Sequence, residues 1–495
     1  NTLIGHKAGD SITDGNNNVV IGRLTYQAGS NSYNTVIGMQ AGYSANSIGA
    51  TYLGYKAGYD NTGATNVFIG MEAGRNHTSG TGCVFVGADA GYLNTTSGAN
   101  TYIGSQAGIY QTGLYNTALG NLALFGLSGS SNASYNTALG YRAGNSITSG
   151  AQNTLIGRGA GAALTTGAYN VAIGNLALHN DNGSNHNIAI GRASMQTASG
   201  ANNVGVGTDT LEVASSSNNT AVGYRAGTST SSGGSNVFLG QMAGHLNTTG
   251  SANVFVGLQA GYNNTGAVQN TYIGYAAGYG QTANTGNSNT AVGNYSQKDR
   301  LGGSGNTSIG HYSLGSDQNA GFSASDNTAV GTFAGKIMSS GGLNTLIGYD
   351  AGVNITSGSN NTCLGNGAVT PSNSSTNTIV LGNSSVSSLQ CQVQTISGLS
   401  DRRDKTNIKD SEYGLNIIDS LRPVTFDWNQ RDGNRDGLKD LGFIAQDLQK
   451  VDDKHLNLVN DENPEKLLAS YGRLIPVLVK SIQELKAEIE ILKNK

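Results

Sequence analysis

The chain has 495 residues, of which 74 are Gly and only 57 are charged, 27 basic and 30 acidic. Average usage is about 7% Gly and about 25% charged residues, so an ordinary soluble enzyme with a Lys/Glu-rich surface is excluded, and four Pro with no three-residue Gly period exclude collagen. A net charge of −3 gives no footing on nucleic acid or an anionic membrane, and no stretch approaches the roughly 18 apolar residues of a membrane span.

These averages conceal a break near Leu399. From residue 400 onward lie 16 basic and 18 acidic side chains but only five Gly, and the single Trp, Trp428. The preceding 399 residues hold 69 Gly and just 23 charges. The sequence therefore predicts a repeat shaft over 1–390, a linker over 391–399, and a compact charged domain over 400–495. Asn1 already lies inside the repeat, so a further segment is expected upstream.

The shaft repeats N-[T/V/I]-x-[I/V/L]-G in 23 copies, from Gly5 to Gly382, mostly 16 or 17 residues apart. Asn opens 20 copies, with Ala50, Cys83 and Thr378 as exceptions. Branched side chains on alternate positions between Asn and Gly predict a short strand whose branched residues face inward. Strands this short are stable only when identical coils stack and pair their backbones, and Asn at one place in every coil predicts an amide ladder. Gly supplies the positive φ needed at a corner. Ala-Gly follows the motif in 14 copies, as in Ala57-Gly58, and such small residues suggest close backbone approach at an axis between chains.

The fold class is accordingly mainly β: a parallel β-solenoid, or β-roll, on the order of 110 Å long at one coil per strand spacing. Phe68, Phe85, Phe238 and Phe255 fall between the positions read as inward and would be exposed on so thin a column. Burying them against two other copies predicts a homotrimer. The pattern resembles the head repeats of trimeric bacterial adhesins and the shafts of phage and virus fibres, a likeness that covers nearly all of residues 1–390 and speaks to architecture more than to function.

The tail reads S-D-R-R-D-K-T-N-I from Ser400 to Ile408, then L-R-P-V-T-F-D-W (421–428), L-G-F-I-A-Q-D-L (441–448) and Y-G-R-L-I-P-V-L-V-K-S-I-Q-E-L (471–485). This ordered set resembles the endosialidase-type intramolecular chaperone at the C-termini of phage tail spikes and fibres. The resemblance implies a small α+β domain that trimerises and folds the shaft and then releases itself by one autoproteolytic event. It further implies Ser400 as nucleophile, Lys405 as general base and the Leu399–Ser400 bond as the cleavage site. The family's usual S-D-x-R-L-K-x-N-I is kept at Asp401, Arg403, Asn407 and Ile408, but Asp404 replaces the usual Leu. A carboxylate beside Lys405 would raise its pKa and weaken it as a base, whereas burial or the neighbouring Arg402 and Arg403 would depress it.

Near the end, Ile475, Leu478, Ile482, Leu485, Ile489 and Leu492 step by three and four, a heptad seam with Glu484, Lys486, Glu488 and Lys493 on the outer faces. This reads equally as a coiled coil or as an amphipathic helix packed on its own domain. Ile and Leu alternating in this way favour two strands in isolated coiled coils, against the trimer that the shaft predicts. Pro476 fits a first turn, or would kink a helix begun at Leu467.

Other signals read as structural. The seven His are scattered, with His179 and His186 the nearest pair, and no ligand cluster completes a metal site. Cys83, Cys363 and Cys391 read as packed residues rather than a disulfide framework. Asp432–Gly437 resembles half a calcium loop, but Phe443 stands where the bidentate Glu belongs. Tyr43, Tyr59, Tyr92, Tyr262 and Tyr279, each after an Ala-Gly pair, read as a packing ladder with sugar stacking as the alternative. Insertions at Leu127–Tyr135, Gln281–Ser288 and Phe322–Ser325 suit receptor loops.

The expectation is thus a virion fibre for host attachment: no cofactor, no metal, no nucleic acid, no membrane insertion, and at most a single-turnover Ser-Lys peptidase. Its partners would be itself, a host-surface receptor such as a glycan, and other virion proteins through the upstream region. The alternatives are an extracellular, cell-surface trimeric adhesin and a glycan depolymerase spike. The latter needs paired carboxylates, for which Asp181, Asp209 and Glu212 form the only loose cluster.

Overall fold

The computed structural model describes residues 1–129, 131–280, 285–299, 302–315, 323–386, 388–390, 400–429, 437–453, 455–461, 465 and 467–494. Leu399, Cys391, the whole 391–399 linker, most of the half calcium loop and parts of the three insertions lie outside the described residues. The chain forms two compact units, Asn1–Thr332 and Phe333–Lys495.

The first unit stacks twenty coils, each giving one three-residue strand, from Thr2–Ile4 to Thr328–Val330. Every strand pairs in parallel with the next in the same register, so that Val67, Phe68 and Ile69 lie opposite Val84, Phe85 and Val86. The second unit opens with three more, Thr345–Ile347, Thr362–Leu364 and Ile379–Leu381, paired in the same way. A parallel β-solenoid of 23 strands is what the repeat predicts.

The facing of the strands is the reverse of the sequence expectation. The central residue points inward: Val36, Tyr52, Phe68, Phe85, Tyr102, Phe238, Phe255 and Tyr272 are all fully buried. The branched flanking residues point outward and are half-buried or exposed. Period-two alternation fixes which residues share a face but not which face is the inside. The aromatic rings settle it here, because a stack of rings fills the narrow interior. Phe68, Phe85 and Tyr102 stack at centroid distances of 4.8 and 5.0 Å, and Phe255 and Tyr272 at 5.0 Å.

The Ala-Gly pairs serve this same interior rather than an axis between chains. Ala57, Ala73, Ala90 and Ala107 are fully buried within their own coils. The Gly that follows has φ near +60°, and a Cβ there would sit 2.7 Å from the Phe68 ring at Gly74 and 2.6 Å from the Phe85 ring at Gly91. Each coil with a central aromatic residue carries Gly six positions later. Where the central residue shrinks to Ala118 or Ala172, Leu124 or Leu178 stands at that place and is fully buried. In these two coils the larger residue fills the space that the small central one leaves, as close packing demands; Ala138–Gly144 and Ala221–Gly227 lack that exchange.

The motif Gly is required for a different reason. Gly104 has φ +136°, and a Cβ on it would lie 2.5 Å from the carbonyl oxygen of Gly120 in the next coil. Beside the strand, the predicted Asn ladder is present: Asn153 Oδ1 accepts the backbone N–H of Asn170 at 2.9 Å, and Asn136 Oδ1 accepts that of Asn153 at 3.0 Å. These side chains are buried, so the ladder satisfies amides that water cannot reach. Ala50, Cys83 and Thr378 can replace Asn because each still donates its own N–H to the Asn of the preceding coil.

Outward, the last strand residues form an aliphatic stripe along the first unit. Ile103, Leu119, Leu139, Leu239, Ile273 and Ile309 are all exposed.

The rest of the second unit is a small α+β fold. Strands Val424–Asp427 and Lys439–Gly442 form an antiparallel hairpin, and Val459–Asn460 pairs with Leu468–Ala469. Helices α1 (Leu415–Ile418), α2 (Ala445–Leu448) and α3 (Leu474–Lys493) accompany them. The core gathers Leu448, Leu456, Leu458, Val459, Leu474 and Val477. Pro476 is the third residue of α3, in the first turn where no intrahelical N–H is lost. Leu474, Val477 and Ser481 form the buried face of α3, whereas Ile475, Leu478, Ile482, Leu485, Ile489 and Leu492 are exposed. The helix thus packs on its own domain through one face and leaves the heptad seam uncovered on another. Glu484, expected on an outer face, instead accepts the N–H of Leu415 at 2.9 Å and caps α1.

Candidate autoproteolytic site

Ser400 and Lys405 flank a single 3-10 turn, Arg402–Asp404. Asp401 builds this turn. Its backbone is extended, and its carboxylate accepts the Arg403 N–H at 2.8 Å, as a helix N-cap does. The same carboxylate takes Arg403 Nη2 at 2.6 Å. That side-chain contact holds the Asp401 carboxyl below the usual carboxylate range and raises the Arg403 guanidinium. The turn closes through Lys405 N–H to the Arg402 carbonyl at 3.2 Å.

The consequence is proximity. Lys405 Nζ lies 2.5 Å from Ser400 Oγ and 3.4 Å from the Ser400 carbonyl oxygen. A five-residue separation in sequence becomes a direct hydrogen bond because the intervening turn folds the chain back. Arg403 is engaged with Asp401 rather than turned to Lys405, and no ion pair joins Asp404 to Lys405 among the described residues. Ser400 and Lys405 are both exposed in the single chain. Taking the hydroxyl proton would require Lys405 as the neutral amine.

Residues 400–457 match the family model of the chaperone of endosialidase. The match opens on Ser400 and takes in the first three sequence blocks, while the block at 471–485 lies beyond it. No match was found among curated proteins or among solved structures. The chain is therefore a β-solenoid followed by a segment, residues 400–457, that is similar to the chaperone of endosialidase.

Within the C-terminal α+β fold the small core is reinforced by two adjacent carboxylates that sequence reasoning did not single out. Asp452 accepts the N–H groups of Leu458 and Val459 at 2.8 and 2.9 Å. Asp453 accepts those of His455 and Leu456 and the Tyr413 hydroxyl, which holds its carboxyl low. The Asp-Asp pair in the sequence was the available signal.

The rest of the shaft bears on the alternatives. Asp181 is buried and caps a turn by accepting the N–H groups of Gly183 and Ser184, and Asp209 is held by Arg192 at 3.0 Å and Arg225 at 3.7 Å. Both carboxylates are thus engaged by groups of the shaft itself. His186 stacks on Tyr169 at 5.0 Å, and His77 lies in the core beside Cys83. Cys83 and Cys363 are free and buried, as expected of packed residues. Among the described residues no group of His, Cys, Asp and Glu could hold a metal, and no helix is long and apolar enough to cross a membrane. Tyr43 stacks on Tyr59 at 5.1 Å and Tyr262 on Tyr279 at 5.3 Å, a packing ladder, while Tyr92 receives Arg75.

Proposed function

We propose that this chain is the shaft of a homotrimeric virion fibre, a tail fibre or spike for host attachment, assembled by its C-terminal chaperone domain. One observation carries the reading. A solenoid with an outward aliphatic stripe is followed in sequence by a chaperone-of-endosialidase domain whose terminal helix leaves its heptad seam uncovered. Contiguous exposed apolar surface of this kind marks an association face. The trimer buries the stripe rather than the aromatic residues, which each coil already encloses.

The chaperone domain then severs the Leu399–Ser400 bond. Ser400 Oγ attacks the Leu399 carbonyl carbon, Lys405 takes the hydroxyl proton and passes it to the departing Ser400 nitrogen, and an ester replaces the peptide bond. Water hydrolyses the ester, leaving Leu399 as a new C-terminal carboxylate and Ser400 as a free N-terminus. Lys405 can act only when its amine is neutral, and burial favours that form. Since the dyad is exposed in one chain, covering it on assembly is what arms the base, so cleavage follows trimerisation.

Intact-mass analysis of the expressed chain beside Ser400→Ala and Lys405→Ala, with sedimentation of each, tests both parts. The reading requires a wild-type trimer cut after Leu399 and uncut trimers in the variants. A monomeric wild type would sink the fibre reading; an uncut wild-type trimer would remove the peptidase and keep the chaperone.

A further inference from the structure

The outer corner of the shaft carries, two residues after most motif Gly residues, a side chain at positive φ: Gln106, Leu122, Arg142, Leu176 and Arg225, among others, with Gly instead at 159 and 367. At Gly159 this row is interrupted. The missing side chain opens a notch of about 260 Å³ between Arg142 on the coil before and Leu176 on the coil after. Arg158 and Tyr141 also line it, with Asn145, Ser146 and His179 completing the polar lining.

The electrostatics of the notch are unusual for this chain. No Asp or Glu occurs between Asp89 and Asp181, and Arg142 and Arg158 are the sole Lys or Arg in that interval. Arg75, Arg192 and Arg225 elsewhere on the shaft have carboxylate partners. Neither Arg142 nor Arg158 has an ion-pair partner among the described residues, although the two line one cavity. The Arg142 guanidinium lies 5.6 Å from the centre of the Tyr141 ring, which is itself exposed. Two uncommitted planar donor forks favour a carboxylate, which each can hold through paired hydrogen bonds. The exposed Tyr141 ring and the Leu176 side chain offer apolar faces for a pyranose ring, with Asn145 and His179 in the same lining for its hydroxyls. Pockets for drug-sized ligands span about 300–1,000 Å³, so a notch of this size suits one saccharide unit.

We propose that the notch at Gly159 is a binding site for an acidic saccharide, its carboxylate held between Arg142 and Arg158 and its ring against Tyr141. The proposal rests on the attachment reading and gives it a ligand class. It also places the site on the regular shaft rather than in the long insertions.

Calorimetric titration of the full chain with a hexuronate-containing tetrasaccharide, a sulfated oligosaccharide lacking carboxylate, and a neutral glucose oligosaccharide tests it. The expected result is binding of the hexuronate probe alone, weakened at least tenfold by Arg142→Ala and by Arg158→Ala and unaffected by Arg192→Ala. Gly159→Leu should abolish binding; at φ +65° its Cβ would meet the His179 and Leu176 side chains at 3.1 Å, so circular dichroism of the same sample must show the β-sheet signal kept, and Arg142→Ala with Arg158→Ala together give the independent second variant. Binding of the neutral or sulfated probe at equal strength, or full binding by the Gly159→Leu or double-Arg variant, overturns the proposal. Absence of hexuronate binding does the same. Sedimentation and cleavage of the same samples report on the fibre reading separately, so either can fail alone.

Discussion

Lys405 Nζ donates a hydrogen bond to Ser400 Oγ at 2.5 Å across a turn that Asp401 caps. Removing the cap should loosen this approach without removing either member of the dyad. Asp401→Ala is expected to slow release of the tail severalfold while Ser400→Ala abolishes it, as followed by electrophoresis over time. Lys405→Ala should slow release by about 10²–10⁴-fold, the usual range for a positioned proton acceptor. Equal rates for wild type and Lys405→Ala would falsify the dyad.

The outward stripe makes a separable prediction. Leu119 and Leu139 are 43% and 41% exposed on adjacent coils, so Asp at both leaves the coil interior intact. The double variant should keep its β-sheet circular dichroism and sediment as a smaller species than the wild type. Unchanged sedimentation would place the association face elsewhere.

Phe85 and Gly91 exchange volume within one coil. Gly91→Leu alone drives a side chain into the Phe85 ring, and Phe85→Ala alone leaves a cavity costing about 3–5 kcal/mol. The pair together recreates the Ala118–Leu124 arrangement found two coils later. Thermal melts should show the double variant more stable than either single variant, a coupling expected only for residues in contact.

Asn153 carries one rung of the buried ladder. Its Oδ1 accepts the Asn170 N–H at 2.9 Å and its Nδ2 donates to the Gly167 carbonyl at 2.9 Å. Asn153→Ala orphans both, at about 1–3 kcal/mol for each group left unsatisfied. Hydrogen exchange should quicken in coils on both sides of the rung and remain unchanged far along the stack.

His77 predicts a pH effect. Burial lowers its pKa from 6.5 to about 4, so the unfolded chain binds a proton near pH 6.5 and the folded chain does so near pH 4. The stability given by the neutral ring is complete above pH 6.5 and is lost as pH falls through that window. The loss should reach about 3 kcal/mol in the coils around Phe68 and Phe85, whose rings lie 5.3 and 5.7 Å from the imidazole. Hydrogen exchange from pH 7 to 4 checks this, with His77→Phe giving a flatter profile.

The sequence by itself determined the period, the stacked parallel strands, the Asn ladder and the character of the tail. Those features are local: a Gly that must take positive φ, an Asn that recurs at one place, a run of charges. The Ser400 and Lys405 pair was legible for the same reason, since five residues and one turn separate them. What only the tertiary structure decided was facing. Alternation in Thr-Tyr-Ile at 101–103 is the same pattern whichever side is the interior, and stacking the Tyr102 ring on Phe85 chose the aromatic side. That choice moved the Ala-Gly pairs into the core and turned the aliphatic residues outward; in the tail, separately, packing α3 through Leu474, Val477 and Ser481 left its heptad seam uncovered while Glu484 reached back to cap α1. It also placed Arg142 and Arg158, sixteen residues apart, around a single notch, because residues one coil apart become neighbours only when the coils stack.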